Sequence, residues 1–100
     1  MLWQIFGAID DCAKIIELDP GNYSACSIRS AAKLNWKDYY GPIADYTKMI
    51  ELRPNDESPY VRRGGSKYDL GDLNGACKDS KKAASIGGRG LIEWQRELCN

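Results

Sequence analysis

Residues 15–20 read IIELDP and residues 49–54 read MIELRP, so the chain contains nearly the same six residues twice. The prolines that end the two stretches, Pro20 and Pro54, are 34 residues apart. A fixed period of about 20–50 residues is typical of stacked repeat proteins, in which each unit buries its apolar face against its neighbour. The repeated stretch therefore predicts a repeat architecture.

The same period extends over most of the chain. Glycines, charged residues and apolar residues all recur in register at an offset of 34 residues. So many coincidences at one offset are not expected by chance. The matching positions are Gly7, Gly41 and Gly75; Asp11, Asp45 and Asp79; Lys14, Lys48 and Lys82; Leu18, Leu52 and Ile86; Ile5, Tyr39 and Leu73; Cys26, Tyr60 and Trp94; Arg29 and Arg63; Lys33 and Lys67; and Asp38 and Asp72.

Each unit contains two helical patterns separated by a turn. In the second full unit, the first pattern ends near Leu70, where Gly71 suits a helix C-terminal cap and Asp72 suits the N-cap of the next helix. We predict the following helix over about residues 73–85. Pro20 and Pro54 come after the second helix of their units, where proline ends a helix without disrupting its interior.

These residues resemble the tetratricopeptide-repeat family, whose units are 34-residue helical hairpins. The resemblance implies an all-α fold, a short α-solenoid of stacked antiparallel hairpins in a right-handed superhelix. Pro42, Ser30 and Cys26 depart from the residues that the family favours at their positions. The matching residues are Tyr60, Gly64, Tyr68, 70–73 (LGDL), Gly75, Ala76, Lys82 and Ala83 in one unit, and 38–39 (DY), 44–46 (ADY) and 50–54 (IELRP) in the other.

The period also divides the chain. We predict a single domain over residues 1–100, with a half repeat at 1–22, full repeats at 23–56 and 57–90, and a capping helix at 91–100. In that last helix Leu91, Trp94 and Leu98 fall on one face. We expect the other face, residues 93 and 95–97, to lie in water.

Composition excludes several classes of protein. The 14 basic and 14 acidic residues cancel, whereas a dedicated nucleic-acid binder usually carries a basic excess. The apolar run at the N-terminus ends at Asp10 and Asp11, well short of the ~18 residues that a membrane span needs. We therefore expect no nucleic acid and no membrane as partner, no signal peptide, and a cytoplasmic, reducing setting.

The chain also lacks residues and spacings that enzymes commonly use for catalysis or metal binding. It contains no histidine, the commonest general base, and Cys12, Cys26, Cys77 and Cys99 show no metal-ligand spacing. We expect buried free thiols, and neither catalysis nor a metal nor a cofactor. The alternative is a thiol-dependent enzyme or cofactor-binding helical domain, which would require a lowered pKa at Cys26 or Cys77.

The N-terminal helix carries more apolar residues than packing against the next hairpin requires. Surplus apolar surface marks contact with another chain, most commonly a second copy, or it folds back over its own subunit. An aromatic pair near Pro42 either joins that interface or is partly buried against the neighbouring hairpin. An engineered or trimmed repeat scaffold would show the same features, and so would a natural fragment. The candidate interface residues are Leu2, Trp3, Phe6, Trp36 and Tyr40.

The resemblance implies a second surface, a concave groove lined by the first helix of each hairpin and able to hold a protein or peptide. Small residues replace the family's basic-and-asparagine clamp, so we expect no recognition of a C-terminal carboxylate. Gly65 costs a helix about 1 kcal/mol, and close approach of a ligand would explain it. Arg62 is either a handle for the ligand or an ordinary solvated charge. The groove candidates are Ser24, Ser27, Ala31, Leu34, Ser58, Val61, Arg62, Gly65 and Tyr68. The overall expectation is a non-enzymatic protein-interaction module.

Overall fold

The computed structural model describes residues 2–35, 38, 40–88, 90 and 93–99, without the side chains of residues 2–6 and 94. Every regular element in this part of the chain is an α-helix, as the repeat pattern predicted. None of these helices has both the length and the apolar character required to cross a membrane. The helices are α1 (Leu2–Leu18), α2 (Tyr23–Asn35), α3 (Tyr40–Leu52), α4 (Ser58–Asp69), α5 (Leu73–Ile86) and α6 (Glu93–Leu98).

Each helix packs against the helix that follows it in the chain. The contacts run from α1 to α2, α2 to α3, α3 to α4, α4 to α5 and α5 to α6. The pairs α2–α3 and α4–α5 form the two complete hairpins. This nearest-neighbour packing is the arrangement of a solenoid, in which each unit is stabilised by the units on either side.

The turn between α4 and α5 has the predicted capping geometry. Gly71 has φ of +86°, a left-handed conformation that glycine adopts without a steric penalty. The Asp72 carboxylate accepts a hydrogen bond from the Gly75 amide at 2.9 Å, which satisfies a free donor at the start of α5. One repeat earlier, Asp38 accepts from the Gly41 amide at 3.1 Å. The same local solution therefore starts both second helices.

The core of the first full hairpin is formed by Cys26, Tyr46 and Met49, all buried, and Ile16 of α1 packs against it. The alignment of Leu18 with Leu52 predicted equivalent buried positions, and this is wrong for Leu18, which is 88 % exposed. Leu52 lies over the turn at Gly21, whereas Leu18 covers no such turn among the described residues.

Two buried ion clusters recur with the period of the repeat. Asp79 accepts hydrogen bonds from the Arg63 Nε at 2.9 Å and Nη2 at 2.8 Å, and Lys67 Nζ lies 3.2 Å away. One repeat earlier, Asp45 forms the same contacts with Arg29 and Lys33. Each cluster joins the two helices of one hairpin, since the cations lie on the first helix and the aspartate on the second.

The second cluster also links the hairpins. The Arg63 Nη1 donates to the Thr47 hydroxyl of α3 at 3.2 Å. Hydrogen bonding to Asp79 raises the pKa of Arg63, so the guanidinium keeps its charge in this buried position. The pattern Arg29/Arg63 and Asp45/Asp79, visible in the sequence as a set of matches, is therefore a set of salt bridges.

The prediction that all four cysteines are free thiols holds for two of them. Cys12 and Cys26 are free and buried. Cys77 and Cys99 instead form a disulfide, with their Cα atoms 5.0 Å apart, so the prediction is wrong for this pair. The bond ties the residue after α6 to α5. Disulfides persist mainly in oxidising compartments, so this pair does not support the reducing setting that we expected.

Candidate functional site

A cavity of about 700 Å³ lies between α4, α5 and α6, and we call it the α4–α6 groove. Its volume falls in the range of about 300–1,000 Å³ that is typical of ligand sites. All three helices contribute to its walls. The lining residues are Val61, Gly64, Gly65, Tyr68, Asp69, Leu73, Ser80, Gln95, Glu97 and Leu98.

The α4 wall is built by helical spacing. Val61, Gly65 and Tyr68 stand four and then three residues apart, so they share one face of the helix. Val61 is 47 % exposed and Tyr68 is 55 % exposed, which leaves a large apolar area facing the groove. A Cβ added to Gly65 would meet no atom of the described residues within 4 Å. Three of the nine predicted groove residues therefore line the cavity.

The adjacent Gly64 serves a different purpose. A Cβ placed there would lie 3.2 Å from the Asp79 Cβ and 3.4 Å from the Ala76 carbonyl oxygen. Glycine at this position lets α4 and α5 approach closely, and it is one of the residues that carry the resemblance to the tetratricopeptide-repeat family. Gly65 has no such neighbour among the described residues, so their packing does not account for it.

The opposite walls come from α5 and α6. Leu73 is 50 % exposed at the start of α5, and Leu98 lies at the end of α6. Ser80 is 6 % exposed, and its hydroxyl forms no hydrogen bond with any described residue. Gln95 is also 6 % exposed, so the expectation that it faces water is wrong. The short α6 turns Gln95 toward the groove because the helix packs across α5.

Sequence reasoning missed the α5 and α6 residues of the groove. Leu73 stood in a repeat column shared with Ile5 and Tyr39, which suggested a core position. Leu98 belonged to the predicted apolar face of the last helix, and this was the one signal that could have found it. Nothing in the sequence placed that face opposite Gly65 of α4.

The other predicted groove residues lie outside the cavity. Arg62 is exposed, and its charge helps to lower the pKa of Asp56, after the hydrogen bonds from Tyr23 and the Ser58 amide. Leu34 packs against the hairpin core. The predicted groove residues therefore lie partly in the cavity and partly outside it. The residues away from the cavity are Ser24, Ser27, Ala31, Leu34, Ser58 and Arg62.

One buried polar atom near Arg62 has no partner. The Tyr46 hydroxyl is fully buried and donates no hydrogen bond within the described structure. Burial raises the pKa of Tyr46, and the proximity of Ser30 and Arg62 opposes that rise. This hydroxyl does not line the α4–α6 groove.

The predicted self-association surface is only partly visible. The side chains of Leu2, Trp3 and Phe6, and the whole of Trp36, lie outside the described residues. Tyr40 is 75 % exposed at the start of α3. Exposed apolar side chains also occur near the end of α1, where Ile15 is 43 % and Leu18 is 88 % exposed.

The structure leaves neither candidate thiol available as a nucleophile. Cys26 is fully buried, and burial raises its pKa, with the nearby Asp45 charge acting in the same direction. Cys77 is held in the disulfide with Cys99. A reactive cysteine needs the opposite conditions, namely access to solvent and a lowered pKa.

Comparison with known proteins identifies the fold. No protein-family model and no curated protein matches the chain. Among solved structures, the first tetratricopeptide-repeat domain of Spaghetti (RPAP3), bound to the HSP90 peptide SRMEEVD, is similar with a TM-score of 0.81 at 22 % identity. The match covers 96 % of this chain and 78 % of that one. The first such domain of human RPAP3 is similar with a TM-score of 0.79 at 23 % identity, covering 95 % and 76 %. The chain therefore has the fold of a tetratricopeptide-repeat domain.

Proposed function

We propose that this chain is a non-enzymatic protein-interaction module that binds a segment of another protein in the α4–α6 groove. The observation that carries the proposal is the cavity of about 700 Å³, which has exposed apolar side chains on two of its walls. Apolar clefts with a few polar groups are the usual form of a binding site. One domain of the same fold binds an HSP90 peptide, which supports a peptide as the class of ligand.

Gly65 supports the same proposal. A glycine in mid-helix costs about 1 kcal/mol relative to alanine, and no described residue occupies the space beside it. The missing side chain lets a ligand approach the backbone of α4 between Val61 and Tyr68. A binding surface explains both the exposed apolar residues and the glycine between them.

The test is a selection of random displayed peptides on the folded protein, followed by binding to two variants. Gly65→Leu would fill the groove, and we expect selected peptides to lose most of their binding. Ala44→Leu places the same side chain at an exposed site on α3 and should leave binding unchanged. Leucine has a higher helix propensity than glycine, so unfolding would not explain the loss. Peptides that bind Gly65→Leu as well as wild type would refute the assignment of the groove.

A second candidate function is self-association through α1, which would make the protein a homo-oligomer. Among the described elements α1 packs only against α2, and Ile15 and Leu18 near its end expose apolar side chains. A self-complementary apolar patch is the commonest basis of a symmetric dimer. Light scattering should show a dimer that Leu18→Lys or the double variant Trp3→Lys, Phe6→Lys converts to a monomer. A wild-type protein that is strictly monomeric at micromolar concentration would contradict this candidate.

A further inference from the structure

We propose that the α4–α6 groove selects an extended segment in which an apolar side chain is flanked by lysine or arginine. This inference rests on the proposed function, because it names the chemistry of the segment that the groove binds. Three features support it: the charges of the residues that line the cavity, the apolar side chains beside them, and the contacts that the basic residues of α4 make elsewhere.

Among the described residues, the charged side chains that line the groove are both acidic. Asp69 lies near the end of α4 and Glu97 lies on α6, and both are exposed. Neither carboxylate forms an ion pair with any residue that the structure describes. Two carboxylates in one cavity attract a cation and repel an anion, which sets the charge of a preferred partner.

The basic residues of α4 do not neutralise these carboxylates. Arg63 and Lys67 both pair with Asp79, which is buried between α4 and α5. The charge of Arg62 acts on Asp56 and on Tyr46 of α3. Arg96 of α6 does not line the cavity. The charges that line the groove in the described part of the chain are therefore negative, although the whole chain has a net charge of zero.

The surface between the two carboxylates is apolar. Val61, Tyr68 and Leu73 are each about half exposed there, and Leu98 joins them from α6. A bound apolar side chain would remove these groups from water, and the open space at Gly65 gives it room.

A second, independent feature is the Ser80 hydroxyl. It is held in the α5 wall, in a residue that is 94 % buried, and it has no hydrogen-bond partner among the described residues. It can donate to a carbonyl oxygen of a bound backbone. An extended segment presents such carbonyls, whereas a helical segment uses its own within the helix.

The test uses two fluorescent peptides of equal length that share one Leu-Phe core, one flanked by lysines and the other by glutamates. Binding is measured by fluorescence anisotropy on the intact, disulfide-bonded protein. At about 20 mM salt the lysine-flanked peptide should bind about tenfold more tightly, because each exposed ion pair changes an affinity by up to about fivefold. The preference should shrink toward equality at about 0.5 M salt, where exposed charges are screened.

Charge-reversal variants identify the source of the preference. The double variant Asp69→Lys, Glu97→Lys should favour the glutamate-flanked peptide. Glu93→Lys makes a similar change on α6 outside the cavity, and it should leave the ratio of the two affinities within about twofold of wild type. A Ser80→Ala variant should weaken both peptides by a similar factor, since the hydroxyl bonds the backbone that they share.

The possible outcomes separate this inference from the proposed function. Equal affinities for the two peptides, or tighter binding of the glutamate-flanked one, would overturn the basic-apolar preference and leave groove binding intact. A preference that survives the double variant would show that Asp69 and Glu97 are not its cause, and it would overturn the inference. If neither peptide binds wild type at about 1 mM, while Gly65→Leu changes nothing, both proposals fail.

Discussion

Replacing Asp79 with alanine tests how strongly the buried ion clusters stabilise the hairpins. The Asp79 side chain is 5 % exposed, and its partners Arg63 and Lys67 are 18 % and 22 % exposed. The substitution would leave two mostly buried cations without a counter-charge. Breaking a buried pair in this way costs about 3–5 kcal/mol, a large part of the about 5–15 kcal/mol that holds a domain folded.

The Asp79→Ala substitution removes the charge with little change in packing. The Cβ of Asp79 is the atom that packs near Gly64, and alanine keeps that Cβ. The close contact between α4 and α5 is therefore preserved while the charge is removed. Asp45→Ala should have a similar cost, because Arg29 and Lys33 hold Asp45 in the same way.

Urea unfolding followed by far-ultraviolet circular dichroism measures the loss. The matched control is Glu51→Ala, which removes a carboxylate that is 63 % exposed and lies 3.7 Å from Lys48 on the same helix. Exposed pairs contribute about 1 kcal/mol or less. Asp79→Asn keeps the shape of the side chain and provides a measurable curve if the alanine variant does not fold. An Asp79→Ala variant no less stable than Glu51→Ala would refute the reasoning.

Three further predictions concern the Tyr46 hydroxyl, the two free thiols and the disulfide. Tyr46→Phe removes a buried hydroxyl that has no hydrogen-bond partner among the described residues. It should therefore raise the free energy of unfolding, measured in urea, by about 1 kcal/mol, and a clear decrease would show that the hydroxyl forms a stabilising hydrogen bond. Burial raises the pKa values of Cys12 and Cys26 above the usual 9.0, so the folded state disfavours their ionisation. Their contribution to stability is therefore complete below about pH 9 and is lost as pH rises through the raised values. The melting temperature of Cys26→Ala should fall less over that range than the melting temperature of wild type. Reducing the Cys77–Cys99 disulfide with a dithiol should lower the free energy of unfolding by about 3 kcal/mol, because the bond closes a loop with a sequence separation of 22 residues. Reduction should also speed amide hydrogen exchange in α6. Unchanged exchange would show that α6 is held by packing alone.

The disulfide also holds one wall of the α4–α6 groove in place. The described part of α6 is six residues long and packs only against α5. So short a helix is not stable by itself, and the bond at Cys99 keeps it beside the cavity. Because Gln95, Glu97 and Leu98 form one wall of the cavity, any partner that uses this wall depends on α6 staying in place.

The repeat architecture could be predicted because its signals are local. The glycine and aspartate at 71 and 72 and Pro54 after α3 each specify a helix end through the backbone of a few neighbouring residues, and the recurrence of such signals at 34 residues reveals the repeat. The structure contains these turns and helices, and domains of the same fold have been solved. Gly64 was also interpretable, because it carries the resemblance to the repeat family, although the equivalent residue one repeat earlier is Ser30.

The site could not be predicted to the same extent, because contacts between distant segments decide it. The alignment treated Leu18 and Leu52 as equivalent, but Leu18 is 88 % exposed, whereas Leu52 lies against the turn at Gly21. Gln95 and the partner of Cys77 depend on how α6 packs across α5, which no periodic pattern encodes. Sequence by itself therefore determined the helices, their ends and their order, since hydrogen bonds between near neighbours set these. Only the tertiary structure decided which side chains share the groove, since that depends on helices meeting across a large separation in the chain.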